Sequence, residues 1–158
     1  MQVSTDSYSI NPPIWGASTQ NFNNWLPRYL EPDSSTTINW GIPIGINDKI
    51  HSLLEEYKNF EANWDGEGTE APDKKVLICA TALLRILDKF GQKVFHASPG
   101  PNKEIMLDLR NNNQSKSLEI LFYPSRSVYV KFQDANKPIQ GEFNFEKLHE
   151  LMTWLNNA

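Results

Sequence analysis

The sequence predicts an α+β domain: an antiparallel meander of three or four strands covered on one face by helices, in the order arm, two helices, strands, helix. Three observations predict it. Apolar residues recur at spacings of three or four from position 46 to 64 and again from 76 to 90. The period then changes to two between 105 and 133, and helical spacing returns from 145 to 155. Short breaker-rich connections make the consecutive strands antiparallel neighbours, and the segregation of helical from strand segments points to α+β packing.

Residues 1–45 read as an irregular arm and 46–158 as a single domain. The arm is rich in Ser, Thr, Asn and Pro, keeps no steady period, and has Arg28 as its only basic side chain. It also holds Trp15, Trp25 and Trp40, three of the chain's five tryptophans. So much aromatic surface is unsuited to a solvated tail, so the arm is expected to fold back over the domain or to engage a partner.

The first helix is expected to start near Asn47 and Asp48, a capping residue followed by a first-turn acid. Ile46, Ile50, Leu53, Leu54, Tyr57, Phe60 and Trp64 fall on one face of it. A second helix, after Pro72, carries Val76, Leu77, Ala80, Leu83, Leu84, Leu87 and Phe90. Its polar strip is narrow, which makes it the most buried element, and Gly91 is placed to end it in the left-handed conformation. Between the two helices lies the stretch Asn63-Trp64-Asp65-Gly66-Glu67-Gly68-Thr69-Glu70-Ala71-Pro72. Asp65-Gly66 favours a turn with positive φ at the glycine, Gly68 adds a second permissive position, and Pro72 suits a first helical turn. Trp64 is large enough to anchor the connection to whatever the helices pack on.

After the breakers at 98–102, Ile105, Leu107 and Leu109 alternate with Met106, Asp108 and Arg110. Leu118, Ile120 and Phe122 then alternate with Glu119, Leu121 and Tyr123. Beyond a turn at 124–127, Val128, Val130 and Phe132 are set against Tyr129, Lys131 and Gln133, and a weaker fourth strand is expected near 139–143. Asn144 caps the last helix, with Phe143 as a hydrophobic staple on Leu148. One strand face is expected to carry Met106, Leu121, Tyr123 and Tyr129 mixed with Arg110, Glu119 and Lys131, a composition that suits a protein interface or coverage by the arm.

The chain has 158 residues, 39% of them hydrophobic, enough for a core in one domain, and no apolar run reaches membrane-spanning length. Residues 1–6 lack the charged and apolar regions of a secretory signal, and the lone Cys79 precludes an internal disulfide, so a cytoplasmic location is expected. A net charge of −4 opposes nucleic-acid binding, for which no basic patch compensates.

The chemical motifs lead away from catalysis. Residues 66–71 match the spacing G-x-G-x-x-[GA], but they follow a helix and contain two glutamates, both unfavourable to a pyrophosphate. Counted from Asp65, a calcium loop would need glycine sixth and glutamate twelfth; Glu70 and Val76 stand there. His51, His96 and His149 are far apart, and Cys79 reads as a small core residue. His96 and Asp65 are the weak candidates for a catalytic role. No catalytic residue, metal ligand or cofactor is therefore assigned.

The block at 63–68 before Pro72, together with Ser98-Pro99 and the strand Glu-Ile-Met-Leu-Asp-Leu-Arg at 104–110, resembles a widespread group of small bacterial proteins of unassigned function that share a WDGxG motif before a proline-started helix. The resemblance covers residues 47–132. It implies bacterial or phage origin and carries no activity. The leading functional expectation is a non-enzymatic protein-binding factor of the bacterial cytoplasm, such as an immunity protein, an antitoxin or a phage-conflict accessory protein. Trp15, Trp25, Trp40, Met106, Leu121, Tyr123 and Tyr129 are its expected contact residues. The alternative is a small enzyme or a ligand- or metal-sensing protein whose pocket lies beside Trp64, Asp65, Gly66, Gly68 and Pro72.

Overall fold

The computed structural model describes residues 45–157. Its order is α1 (Asp48–Tyr57), α2 (Lys74–Lys89), β1 (Val94–Pro99), β2 (Ile105–Arg110), β3 (Lys116–Phe122), β4 (Ser127–Gln133), β5 (Ile139–Glu142), a 3-10 turn (Phe145–Lys147) and α3 (Leu148–Asn156). The strands form one antiparallel sheet in sequence order, β1-β2-β3-β4-β5. The α+β class and the meander are as the sequence predicts, with one further strand, β1, at the sheet edge. The assignments made for Trp15, Trp25 and Trp40 lie outside the described residues.

The inner-facing residues of β2 and β3 pack against the helices, and that face is the core. Ile105, Leu107, Leu109, Leu118, Ile120 and Phe122 are fully buried there against Leu83, Leu84 and Leu87 of α2 and Leu151 and Leu155 of α3. Each such aliphatic side chain stabilises the fold by about 1.5–3 kcal/mol on leaving water. The helix α2 is the most buried of the described helices, with nine of its sixteen residues buried, but not the most buried element, since β2 has four of six buried. It starts one residue later than expected. Asp73 is the N-cap, its carboxylate accepting the Lys75 N–H at 2.8 Å, and Pro72 precedes the cap instead of filling the first turn. At the far end Gly91, at φ +69°, closes the helix with the Gln92 N–H bonded to the Leu87 carbonyl at 2.8 Å.

Asn47 has a different role from the one its position suggests. No side-chain capping bond forms. Instead the buried amide donates to Asp88 Oδ1 (2.7 Å) and to the Gln92 carbonyl (3.0 Å), and accepts the Val94 N–H (2.7 Å). His51 Nε2 meets the other Asp88 oxygen at 2.6 Å. One side chain thus joins the start of α1, the end of α2 and the entry to β1, and Tyr57 adds a second tie by donating to the Ala97 carbonyl at 2.9 Å. Burial pushes the Tyr57 phenol above its ordinary pKa.

Two apolar residues expected in the helical stripes, Ile46 and Phe90, are exposed, and so is Ile78. The first helix also ends at Tyr57, so Phe60 and Trp64 continue its apolar line as an aromatic stack in the following turns. Asn144, expected to cap the last helix, caps the 3-10 turn that leads into it, accepting the Lys147 N–H at 3.0 Å, while α3 itself has no side-chain capping bond. Phe143 is buried, with ring contacts to Phe122 and Phe145. Buried Lys116 caps the other end of α3, its ammonium donating to the Trp154 and Asn157 carbonyls at 3.0 and 2.7 Å.

Candidate functional site

Two places were singled out by sequence, the 63–72 loop and the sheet face away from the helices, and they prove to be built in opposite ways. In the loop, Asn63, Gly66 and Gly68 all take positive φ, at +68°, +81° and +87°. The Asn63 N–H donates to the Thr69 carbonyl at 2.7 Å and its side-chain oxygen accepts the Gly68 N–H at 2.6 Å, which closes the loop on itself. Asp65 Oδ1 accepts the Glu67 N–H (2.9 Å) and the Thr69 N–H (3.3 Å), while Oδ2 accepts the Thr69 hydroxyl. The Thr69 hydroxyl and then the Glu67 N–H hold the Asp65 carboxyl below its ordinary pKa.

Trp64 is half-buried and stacks on Phe60, centroids 4.8 Å apart, and its indole N–H donates to the Glu70 carbonyl at 3.2 Å. Lys103 pairs with Glu70 at 2.9 Å and its carbonyl accepts the Asp73 N–H, tying the loop to the β1–β2 turn. Asn63, Asp65, Thr69 and Glu70 are thus engaged in holding the loop's shape. Two surface grooves are lined by other residues: one of about 480 Å³ between α2 and α3, with Ile86, Phe90 and Met152 in its wall, and one around Ile46, Phe95 and Arg110. No cluster of three or more metal-ligating side chains occurs among the described residues. Cys79 is buried, and burial pushes its thiol well above its ordinary pKa, which suits a core residue.

The outer face of the sheet is made of three rungs. The register aligns Ser98, Met106, Leu121, Val128 and Glu142 in one, His96, Asp108, Glu119, Val130 and Gln140 in the next, and Arg110, Ser117 and Phe132 in the third. Met106, Leu121, Val128, Val130 and Phe132 are all half-buried, forming an apolar strip across β2, β3 and β4. Beside the strip, the Arg110 guanidinium lies 3.7 Å from the centre of the Phe95 ring and gives two hydrogen bonds to Asp108 Oδ2, at 2.7 and 3.1 Å. Asp108 is nine-tenths buried, with its side chain 9% exposed, and its Oδ1 has no hydrogen-bond partner among the described residues. Directly opposite stands Glu119, whose carboxyl is pushed up by desolvation first and by the Asp108 charge second.

Met106 and Leu121 lie side by side on this face, as predicted, and Tyr123 follows β3 in the turn with Arg126 over its ring. Tyr129 does not join them. It pairs with Ile120 on the helix-covered face and packs against the core, and Lys131 pairs with Leu118 there and lies over the Trp154 ring. The physical reason is the turn: Phe122 is opposite Ser127, so the parity of β4 puts Val128, Val130 and Phe132 outside. An amphipathic tyrosine and a snorkelling lysine can line the margin of a core. Gly141 makes room for the tyrosine, since a Cβ there would come 2.7 Å from the Tyr129 hydroxyl. The outer valines were missed because alternation assigns the apolar set inward by default. The signal that finds them is the four-residue connection at 123–126.

The described residues form a five-stranded antiparallel meander with helices on one face and a mixed apolar and charged surface on the other. No family model, curated protein or solved structure matches the chain.

Proposed function

We propose that this chain is a non-enzymatic protein-binding factor of the bacterial cytoplasm, of the immunity-protein, antitoxin or phage-conflict accessory kind, and that the outer sheet face is its interface. One observation carries the reading: the apolar strip Met106, Leu121, Val128, Val130 and Phe132 lies on the sheet face that α1, α2 and α3 leave uncovered. A strip of this kind, bordered by Asp108, Arg110 and Glu119, has the mixture of apolar centre and polar margin that protein interfaces share. The arm residues Trp15, Trp25 and Trp40 supply further contact area in this reading, with Tyr123 at the margin.

Site-specific photocrosslinking tests it. A photoreactive side chain at Val130 of the full chain, expressed in a bacterial host that carries its neighbouring genes, is expected to yield one discrete crosslinked protein. The same group at Thr153, on the helical side, is expected to yield none. Crosslinks from Thr153 alone would move the interface to the helices and end the reading.

A further inference from the structure

We propose that the partner seated on the outer sheet face presents an arginine to it, and that Asp108 of β2 and Glu119 of β3 receive the guanidinium. This rests on the outer face being the interface and names the chemistry of what docks there. The two acids are direct cross-strand neighbours, so their side chains rise from the sheet about 5 Å apart at Cβ. Asp108 is nine-tenths buried, and its Oδ1 has no hydrogen-bond partner among the described residues. A carboxylate oxygen withdrawn from water without a donor is costly, and a donor brought by a partner removes that cost. Glu119, half-buried beside it, has its carboxyl pushed up by desolvation first and by the Asp108 charge second, the condition that a further cation relieves.

The cations already near this face are engaged elsewhere. Arg110 directs both of its bonds to Asp108 at Oδ2, and its guanidinium is held over the Phe95 ring. Arg126 stands at the end of the face with its guanidinium over the Tyr123 ring, 5.3 Å from the centroid. Tyr123 is four residues along the chain from Glu119, about 13 Å at 3.3 Å per residue, and the charges that act on the Glu119 carboxyl are those of Asp108 and Arg110. His96, exposed on the other side of Asp108 in the same rung, makes no hydrogen bond to Oδ1. Lys131 belongs to the helix-covered face, over the Trp154 ring. Two carboxylates on adjacent strands match the planar fork of a guanidinium better than the point charge of an ammonium. Glu119 is also paired across β3 and β4 with Val130 and lies one rung from Leu121, so the methylene stem of an incoming arginine covers the apolar strip while its head reaches the acids.

Random linear peptides displayed on phage and selected on the full chain test the proposal without the natural partner. Those whose binding is abolished by Leu121→Glu are expected to carry arginine beside apolar residues, several-fold above its frequency in the starting library. A synthetic copy of one should bind Glu119→Gln and Asp108→Asn at least tenfold more weakly than the native chain. Replacing its arginine by citrulline, which keeps the shape and removes the charge, should weaken binding to the native chain by the same factor and weaken binding to Glu119→Gln no further. Glu119→Gln separates contact from folding, since it removes a carboxyl disfavoured by its surroundings and is expected to melt no lower than the native chain. Peptides that need Leu121 but show no arginine enrichment, or that bind Glu119→Gln at full affinity, would overturn the proposal and leave the outer face as the interface. Selected peptides indifferent to Leu121→Glu, or no selected peptides at all, would overturn both.

Discussion

The two faces of this sheet are made by alternate residues of the same strands, and they differ in what their neighbours ask of them. On the inner face Ile105, Leu107, Leu109, Leu118, Ile120 and Phe122 are sealed by three helices, and each is fixed by packing. On the outer face Met106, Leu121, Val128, Val130 and Phe132 are as apolar in kind, yet no described helix covers them. A stability requirement explains the first set. It does not explain the second, since a solvated face would be served as well by threonine and lysine. Two-sided apolar character in a one-sided sandwich is the feature on which the proposed binding role rests.

The widest separation between the faces is expected from truncation. Leu107→Ala should cost about 2–5 kcal/mol, because it removes a fully buried side chain and leaves a cavity between sheet and α2. Val130→Ala, across the sheet and half-buried, should cost under about 1 kcal/mol. Urea unfolding of the two variants measures both, and equal losses would mean that the outer face is packed core.

Asn47→Ala comes next, at about 3 kcal/mol. It strands the Val94 N–H and the Gln92 carbonyl and withdraws a donor from Asp88 in a single change. Asn47→Asp should recover little, since it trades the donor to Asp88 for a second carboxylate. Denaturation midpoints of the pair distinguish a clamp from a helix cap, which aspartate would replace.

Gly66→Ala should cost about 1 kcal/mol. Open space surrounds the site, but φ of +81° penalises any Cβ. A loss near zero would show that the loop tolerates redesign and is not a rigid connector.

The smallest effect is electrostatic. Glu119 has its carboxyl raised in the folded state, so the proton it binds stabilises the fold below the ordinary pKa of 4.5, and that contribution is lost as pH rises through the higher folded value. Glu119→Gln should therefore raise the melting temperature at pH 7 and give no advantage near pH 4. Melting curves at the two pH values check the sign.

How much of this was legible in the sequence depended on whether a period or a contact carried the information. The stripes of α1 and α2 and the alternation of β2 and β3 follow from spacing, and those elements are present, although α1 ends at Tyr57, short of the line that spacing carries to Trp64. Strand β1 does not follow from spacing, because its register slips between Val94 and His96 and the slip leaves Phe95 and His96 both exposed, erasing the alternation. Pro99 at its end also reads as a breaker, though an edge strand accommodates it. Asn47 looked like a cap because its partners, Asp88, Gln92 and Val94, lie more than forty residues away, beyond the reach of any local pattern. At the site, Met106 and Leu121 were legible from alternation. The acidic pair Asp108 and Glu119 emerged only once the register set them opposite each other.

The most direct test of the central claim, that the outer face binds and the 63–72 loop supports, is a matched pair of variants carried through one affinity capture with melting temperature recorded alongside. Leu121→Glu should melt within a few degrees of the native chain and lose the protein captured by it. Trp64→Ala, which removes the stack on Phe60, should melt lower and still capture that protein. The reverse pattern, with capture lost in Trp64→Ala at unchanged melting and kept in Leu121→Glu, would contradict the account.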